Sequence, residues 1–221
     1  MAYFEFLTNW LLIETVYAAV IIIASLIILF KAHKLYSFSK YRGISYFSYA
    51  FLFLAAGFTV RYIVILQATF IEGSVFYLLI LMQFFMMMPG FFLLYSFIWK
   101  HLSHHIYIAT IPLLYMLIAL TISLIDFLNQ SFLLLYISQV VLFMAAVILS
   151  AIHYYQRRTA CRKYILCAMS IFLLVWIINF IGHYTKDMFS GILIGVYAAT
   201  AIAALVFLVM VSVLTRDFGD R

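Results

Sequence analysis

Two charged side chains of opposite sign, Glu14 and Arg61, fall inside long apolar runs. A charge in hydrocarbon is costly, so each is a binding or ion-contact residue by default, or one half of a pair that offsets the cost. At 1.5 Å of rise per helical residue, Arg61 stands about 25 Å along its run, near the far end. Glu14 lies about one turn inside the matching end of the preceding run. Equal depth permits an ion pair that tethers the two segments. It also permits an Arg61 that reads an anionic or carbonyl group on a ligand.

Uncharged polar and aromatic residues gather at similar depth in other runs. Gln83 is about 12 Å inside the same end of its run, and Gln139 is about as deep in another. Asn179 and His183 lie close to that end of a further run, while Tyr17, Trp176 and Tyr197 can wall the space between. Glu14, Arg61, Gln83, Asn179, His183, Trp176 and Tyr197 thus form the expected ligand-binding set, aromatic-walled with a few convergent polar groups. The competing reading is plain hydrogen bonding between helices, worth about 0.6–2 kcal/mol per contact. Pro89 removes a backbone donor and clashes one turn back, so it is the expected hinge, with a kink near Phe85. Met86, Met87 and Met88 read as adaptable packing around it, since three consecutive residues cannot share one helix face.

Five of the six histidines, His33, His101, His104, His105 and His153, gather toward the opposite end. His101 and His105 have the i, i+4 spacing of a helical metal site. A catalytic zinc wants a third ligand and a nearby base, and neither Cys nor an acid accompanies them. Contact with lipid headgroups is the expected role, and no metal. No catalytic or cofactor motif emerges elsewhere, so neither enzyme activity nor a cofactor is expected.

Seven apolar runs carry these residues: 9–30, 44–68, 74–99, 106–125, 131–152, 164–181 and 190–214. Each suits the ~20 residues that cross about 30 Å of hydrocarbon. Connections are short, so neighbours must pack antiparallel in a single seven-helix transmembrane domain over residues 1–221. In the last run Gly191, Gly195, Ala199 and Ala203 recur every four residues, which allows close backbone approach within the bundle or across a homo-oligomer seam. Phe58-Thr-Val-Arg61-Tyr62 and Phe180-Ile-Gly-His183-Tyr184 end the second and sixth runs, which fits a 3+1+3 parallel repeat.

Composition agrees. At 69% hydrophobic and 9% charged, with mean hydropathy +1.20, the chain is unlike a soluble domain, where about 25% of residues are charged. Of 13 Lys and Arg, 11 fall at one set of loops and ends: Lys31, Lys34, Lys40, Arg42, Lys100, Arg157, Arg158, Arg162, Lys163, Arg216 and Arg221. Only Arg61 and Lys186 lie toward the other. Cytoplasmic loops retain bases, so the expected topology is N-terminus outside and C-terminus inside, with the polar cluster in the outer half. The net charge of +6 reflects that sidedness and draws the chain to anionic inner-leaflet lipid rather than to nucleic acid, which needs a contiguous basic face. Glu5 sits where a cleavable signal would be basic, and Cys161 and Cys167 lie on the reducing side, so neither leader nor disulfide is expected.

Seven spans with an outer N-terminus and short loops resemble the rhodopsin topology, but the last run has no lysine for a retinal Schiff base. Acid and histidine motifs of seven-helix metal hydrolases of the ceramidase kind are not found within the spans. The stretch Lys40-Tyr-Arg42-Gly43, followed by Phe51-Leu-Phe-Leu-Ala-Ala-Gly57-Phe58-Thr-Val-Arg61, resembles prokaryotic seven-transmembrane sensor modules fused to kinases and cyclases. That resemblance implies a sensor- or receptor-like protein of a cell membrane. It would bind a small amphipathic or lipid-like ligand and signal through basic inner loops to a cytoplasmic or membrane partner. The alternatives are a small-solute transporter built from two three-helix halves and a non-catalytic structural subunit.

Overall fold

The computed structural model describes residues 2–70, 75–102, 110–156 and 160–184, together with 198, 200–202, 205, 206, 208 and 209. Among them the chain is helical: α1 (Ala2–Ser39), α2 (Arg42–Phe70), α3 (Phe76–Leu102), α4 (Thr110–Leu128), α5 (Leu133–Gln156) and α6 (Ala160–Tyr184). All six are long and apolar enough to cross a membrane. The residues described beyond 197 are helical too and fall within the expected seventh run, most of which lies outside the described residues.

Helix ends differ from the apolar runs for a physical reason. Hydropathy marks where hydrocarbon begins, not where backbone hydrogen bonding stops. α1 therefore continues through Lys31 and Lys34 to Ser39, about two and a half turns into what the charge pattern alone reads as a loop. It ends where Lys40 adopts φ 54° and its N–H bonds the Tyr36 carbonyl. That left-handed residue just past a helix is a common stop signal.

The turn between α4 and α5 is fixed by a buried acid. Asp126, wholly buried near the end of α4, accepts bonds from Leu134 N at 3.0 Å and Leu135 N at 2.7 Å. Ser131 Oγ adds a third at 3.2 Å. The first N–H groups of a helix have no partner within it, and the helix dipole favours an anion there. Asp126 supplies both acceptor and charge, so the short turn holds α4 and α5 at a set angle.

α3 is the hub of the described helices: it packs on α2, α4 and α5, while α1 packs on α2 and α6 on α5. Half of its apolar window is buried, against 22% for α4 and for α6. This explains why Met86, Met87 and Met88 are all buried although they point in three directions. Neighbours lie on three sides of α3. Outward surfaces are apolar instead, with Leu12, Phe30, Tyr77, Leu117 and Val141 among many large exposed side chains. Such a surface suits lipid and not water, so the described fold is that of a multi-pass helical membrane protein.

Candidate functional site

α1 presents a buried stripe of Glu14, Tyr17, Ala18, Ile21, Ala24, Ser25 and Ile28, the three-and-four spacing of one helix face. α2 answers with Phe51, Leu54, Ala55 and Phe58, and Arg61 follows one turn on. Where the stripes meet, Arg61 Nη2 donates to Glu14 Oε1 at 2.9 Å and Oε2 at 3.0 Å. The guanidinium lies 5.3 Å from the Tyr17 ring centroid and 5.8 Å from that of Phe58, near enough for cation–π attraction. Those two rings meet edge to face at 5.4 Å. Glu14 is 2% exposed and the Arg61 side chain 24%. The acid is sealed; the base is not.

The neighbouring level is also tied. Thr15 Oγ1 donates to the Leu11 carbonyl at 2.7 Å, which leaves Tyr62 OH to donate to Thr15 Oγ1 at 2.9 Å. Tyr17 lies within hydrogen-bonding reach of Thr200, so the helical residues beyond 197 close against α1 at this height.

Gly57 sets the register of α2 on α3. A Cβ there would stand 3.3 Å from Met86 N and from Phe85 C, so the two backbones touch. From that contact Arg61 is one turn toward one end of α2. In an antiparallel pair the same displacement leads to Gln83, which is buried on α3. α5 brings Tyr136 to this height, within electrostatic reach of both Arg61 and Tyr17. Tyr136 packs edge-on to Trp176 and Phe180 of α6 at 6.2 and 6.3 Å. About two turns deeper, Phe143 stacks on Phe172 and on Trp176. An apolar void of about 10 Å³ lies there, between Phe51 and Leu54, Pro89 and Leu93, and Phe143, Phe172 and Trp176. It has room for roughly one water molecule and no polar lining to hold one.

Of the expected set, Glu14 and Arg61 are in contact, Gln83 is buried on α3 at that level, and Trp176 packs on Tyr136 and borders the deeper void. Asn179 does not offer its amide to that space: its Nδ2 donates to the Val175 carbonyl of its own helix at 2.9 Å. A side chain's rotamer is not written in its position. His183 belongs to α6, but its side chain, like all of Tyr197, lies outside the described residues. Pro89 is inside α3, whose helical assignment continues across it. Gln139 explains how: wholly buried on α5, its Nε2 donates to the Met86 and Met87 carbonyls, both at 3.1 Å. Pro89 withholds a donor from the Phe85 carbonyl one turn back, and the Gln139 amide binds the next two carbonyls, steadying α3 where its own bonding is interrupted.

Tyr136, Phe58 and Thr200 escaped the sequence reading. Tyr136 carried a signal, since it lies one turn from Gln139 and so shares its face. Among the histidines at the basic end of the chain's spans, His153 packs its ring 6.4 Å from Phe97 and accepts Arg162 Nη1 at its carbonyl. The side chain of His101 and the whole of 103–109 lie outside the described residues. No cluster of three or more metal-ligating side chains occurs among the described residues.

The assembled site is an internally compensated charge pair boxed by aromatic rings, with one buried amide at the same level. Compared with known protein families, curated proteins and solved structures, the chain matches none.

Proposed function

We propose that this chain is a non-catalytic, sensor- or receptor-like protein of seven spans, N-terminus outside. In that reading a small amphipathic or lipid-like molecule places its polar end at Arg61 and its tail along the aromatic walls of Tyr136 and Trp176. The basic loops at the other face then pass the signal to a cytoplasmic or membrane partner. What supports it above all is the unequal burial of the ion pair: Glu14 is sealed while Arg61 keeps a quarter of its side chain open. A pair serving packing alone gains little over two apolar side chains of similar volume. An arginine positioned by a buried acid and still partly exposed suits recognition of a carboxylate or carbonyl.

The test is titration of dodecanoate into the full chain in nanodiscs, followed by tryptophan fluorescence. Saturable binding that weakens about tenfold or more in Arg61→Gln supports the proposal, as loss of a charged hydrogen bond requires. Equal binding by both proteins, or none that saturates, rejects it. A second reading has its own observations. Gln139, Asp126 and Asn179 all turn their polar atoms to helix backbone, as in a structural subunit whose hydrophilic groups only bind helices together. That reading takes over if Arg61→Gln lowers stability and changes nothing else.

A further inference from the structure

Buried polar atoms without partners are rare in native folds, and each one needs a reason. Among the described residues four occur: Gln83 Oε1, Tyr95 OH, Trp99 Nε1 and Gln139 Oε1. Three belong to α3, and the fourth belongs to the side chain that grips α3. They do not scatter through the bundle; they bracket Pro89. On one side of the proline stands Gln83. On the other, one and a half to three turns on, stand Tyr95 and Trp99.

The proline itself is held from outside its own helix. Both bonds near it come from the Gln139 amide, which reaches the Met86 and Met87 carbonyls. Gly90 makes room for that amide, since a Cβ at this position would stand 2.6 Å from Gln139 Oε1. Pro89 and Leu93 also border the small void, so α3 has free space beside the point where its backbone is weakest. Further along, Tyr95 packs between Tyr46 of α2 at 4.5 Å and Tyr115 of α4 at 5.8 Å. Trp99 Nε1 faces Gly43 and lies beside Tyr41. A small rotation of this half of α3 would change the surroundings of the Trp99 indole N–H at the α2 seam.

We propose that Pro89 and Gly90 form a two-state hinge in α3, clasped by the Gln139 amide, and that residues 91–102 shift against α2 and α4 between the states. In the state seen here the clasp is closed, and the Trp99 indole N–H is unpaired. In the other state that donor is paired and the Gln139 amide has let go. The hinge needs no ligand to exist, so it stands or falls separately from the binding proposed at Arg61.

Fluorine NMR on the full chain in nanodiscs, with 5-fluorotryptophan at Trp10, Trp99 and Trp176, tests this; lines are assigned by single Trp→Phe substitutions. Trp99 should show two lines, or one broadened by exchange, while Trp10 stays single. Gln139→Leu should change the ratio of the two Trp99 states by about fivefold, the factor one net hydrogen bond supplies. Gly90→Ala, which displaces the amide, should change it in the same direction. Pro89→Ala restores the missing donor and should leave one sharp Trp99 line. A single sharp Trp99 line in the wild-type chain at all temperatures overturns the proposal. So does a two-line pattern that Pro89→Ala leaves unchanged. The wild-type measurement decides even if a variant fails to fold.

Discussion

Removing either member of the Glu14–Arg61 pair should destabilise the bundle far more than removing both. Breaking a buried ion pair costs about 3–5 kcal/mol because a charge is left without its partner. Here the cost is unequal on the two sides. Arg61→Ala leaves a carboxylate that is 2% exposed, and the upper end of that range applies. Glu14→Ala leaves a guanidinium that keeps 24% exposure and still faces the Tyr17 and Phe58 rings. Its cation–π contacts and access to the interface reduce the loss to about 2 kcal/mol. In E14L/R61L both desolvation penalties vanish and two apolar side chains fill the seam, so the double variant should lie within about 1 kcal/mol of wild type. With leucine in the single variants as well, R61L and E14L closing the cycle, the coupling between the two sites is then about 6 kcal/mol, well above the ~0.5 kcal/mol expected of independent positions. Unfolding by added SDS from mixed micelles, followed by far-UV circular dichroism, measures all four corners of the cycle. Additive single-site losses would refute the reasoning. They would mean that Arg61 and Glu14 are held by other groups and that their contact is incidental.

Two further substitutions probe how the site is positioned. Asp126→Ala strips the cap from two N–H groups of α5 at a wholly buried position, which should cost about 2–3 kcal/mol and speed hydrogen exchange at Leu134 and Leu135 ahead of the rest of α5. Gly57→Ala places a methyl 3.3 Å from the α3 backbone, which cannot turn aside as a side chain can. Overpacking of about 1–3 kcal/mol outweighs the up to about 1 kcal/mol gained in helix propensity, so thermal stability should fall. A rise would show that α2 and α3 are free to part.

The six described spans were legible because hydrocarbon imposes one rule, a long run of apolar residues, and that rule needs no tertiary information. Depth along a helix is equally local, which is how Glu14 and Arg61 could be matched from two different runs. Direction around the axis is not local. Asn179 had the right depth and yet folds back on Val175, while Tyr136 had the right depth and face but was hidden among 17 tyrosines. The three buried methionines show the same limit. A helix with neighbours on three sides buries residues that a single amphipathic stripe would leave outside, and only the assembled bundle reveals which helix that is. The extent of α1 failed for another reason: a helix that leaves the membrane keeps its backbone bonds until a residue such as Lys40 breaks them.

The polar groups of this bundle fall into two kinds by what they serve. Asp126 and Gln139 satisfy peptide groups that the fold itself exposes, at a helix start and beside a proline. Exchange for leucine at either place must cost stability, because the peptide groups remain. The Glu14–Arg61 contact joins two side chains of neighbouring helices. Both of its charges could be exchanged for leucine with little loss. If the double variant is as stable as predicted, two roles can be told apart: specifying how α1 meets α2, or holding Arg61 ready for the ligand proposed above. Specification predicts that E14L/R61L alters the α1–α2 register; readiness predicts an unchanged register and lost dodecanoate binding. Distances between spin labels on α1 and α2, measured beside the titration, separate the two.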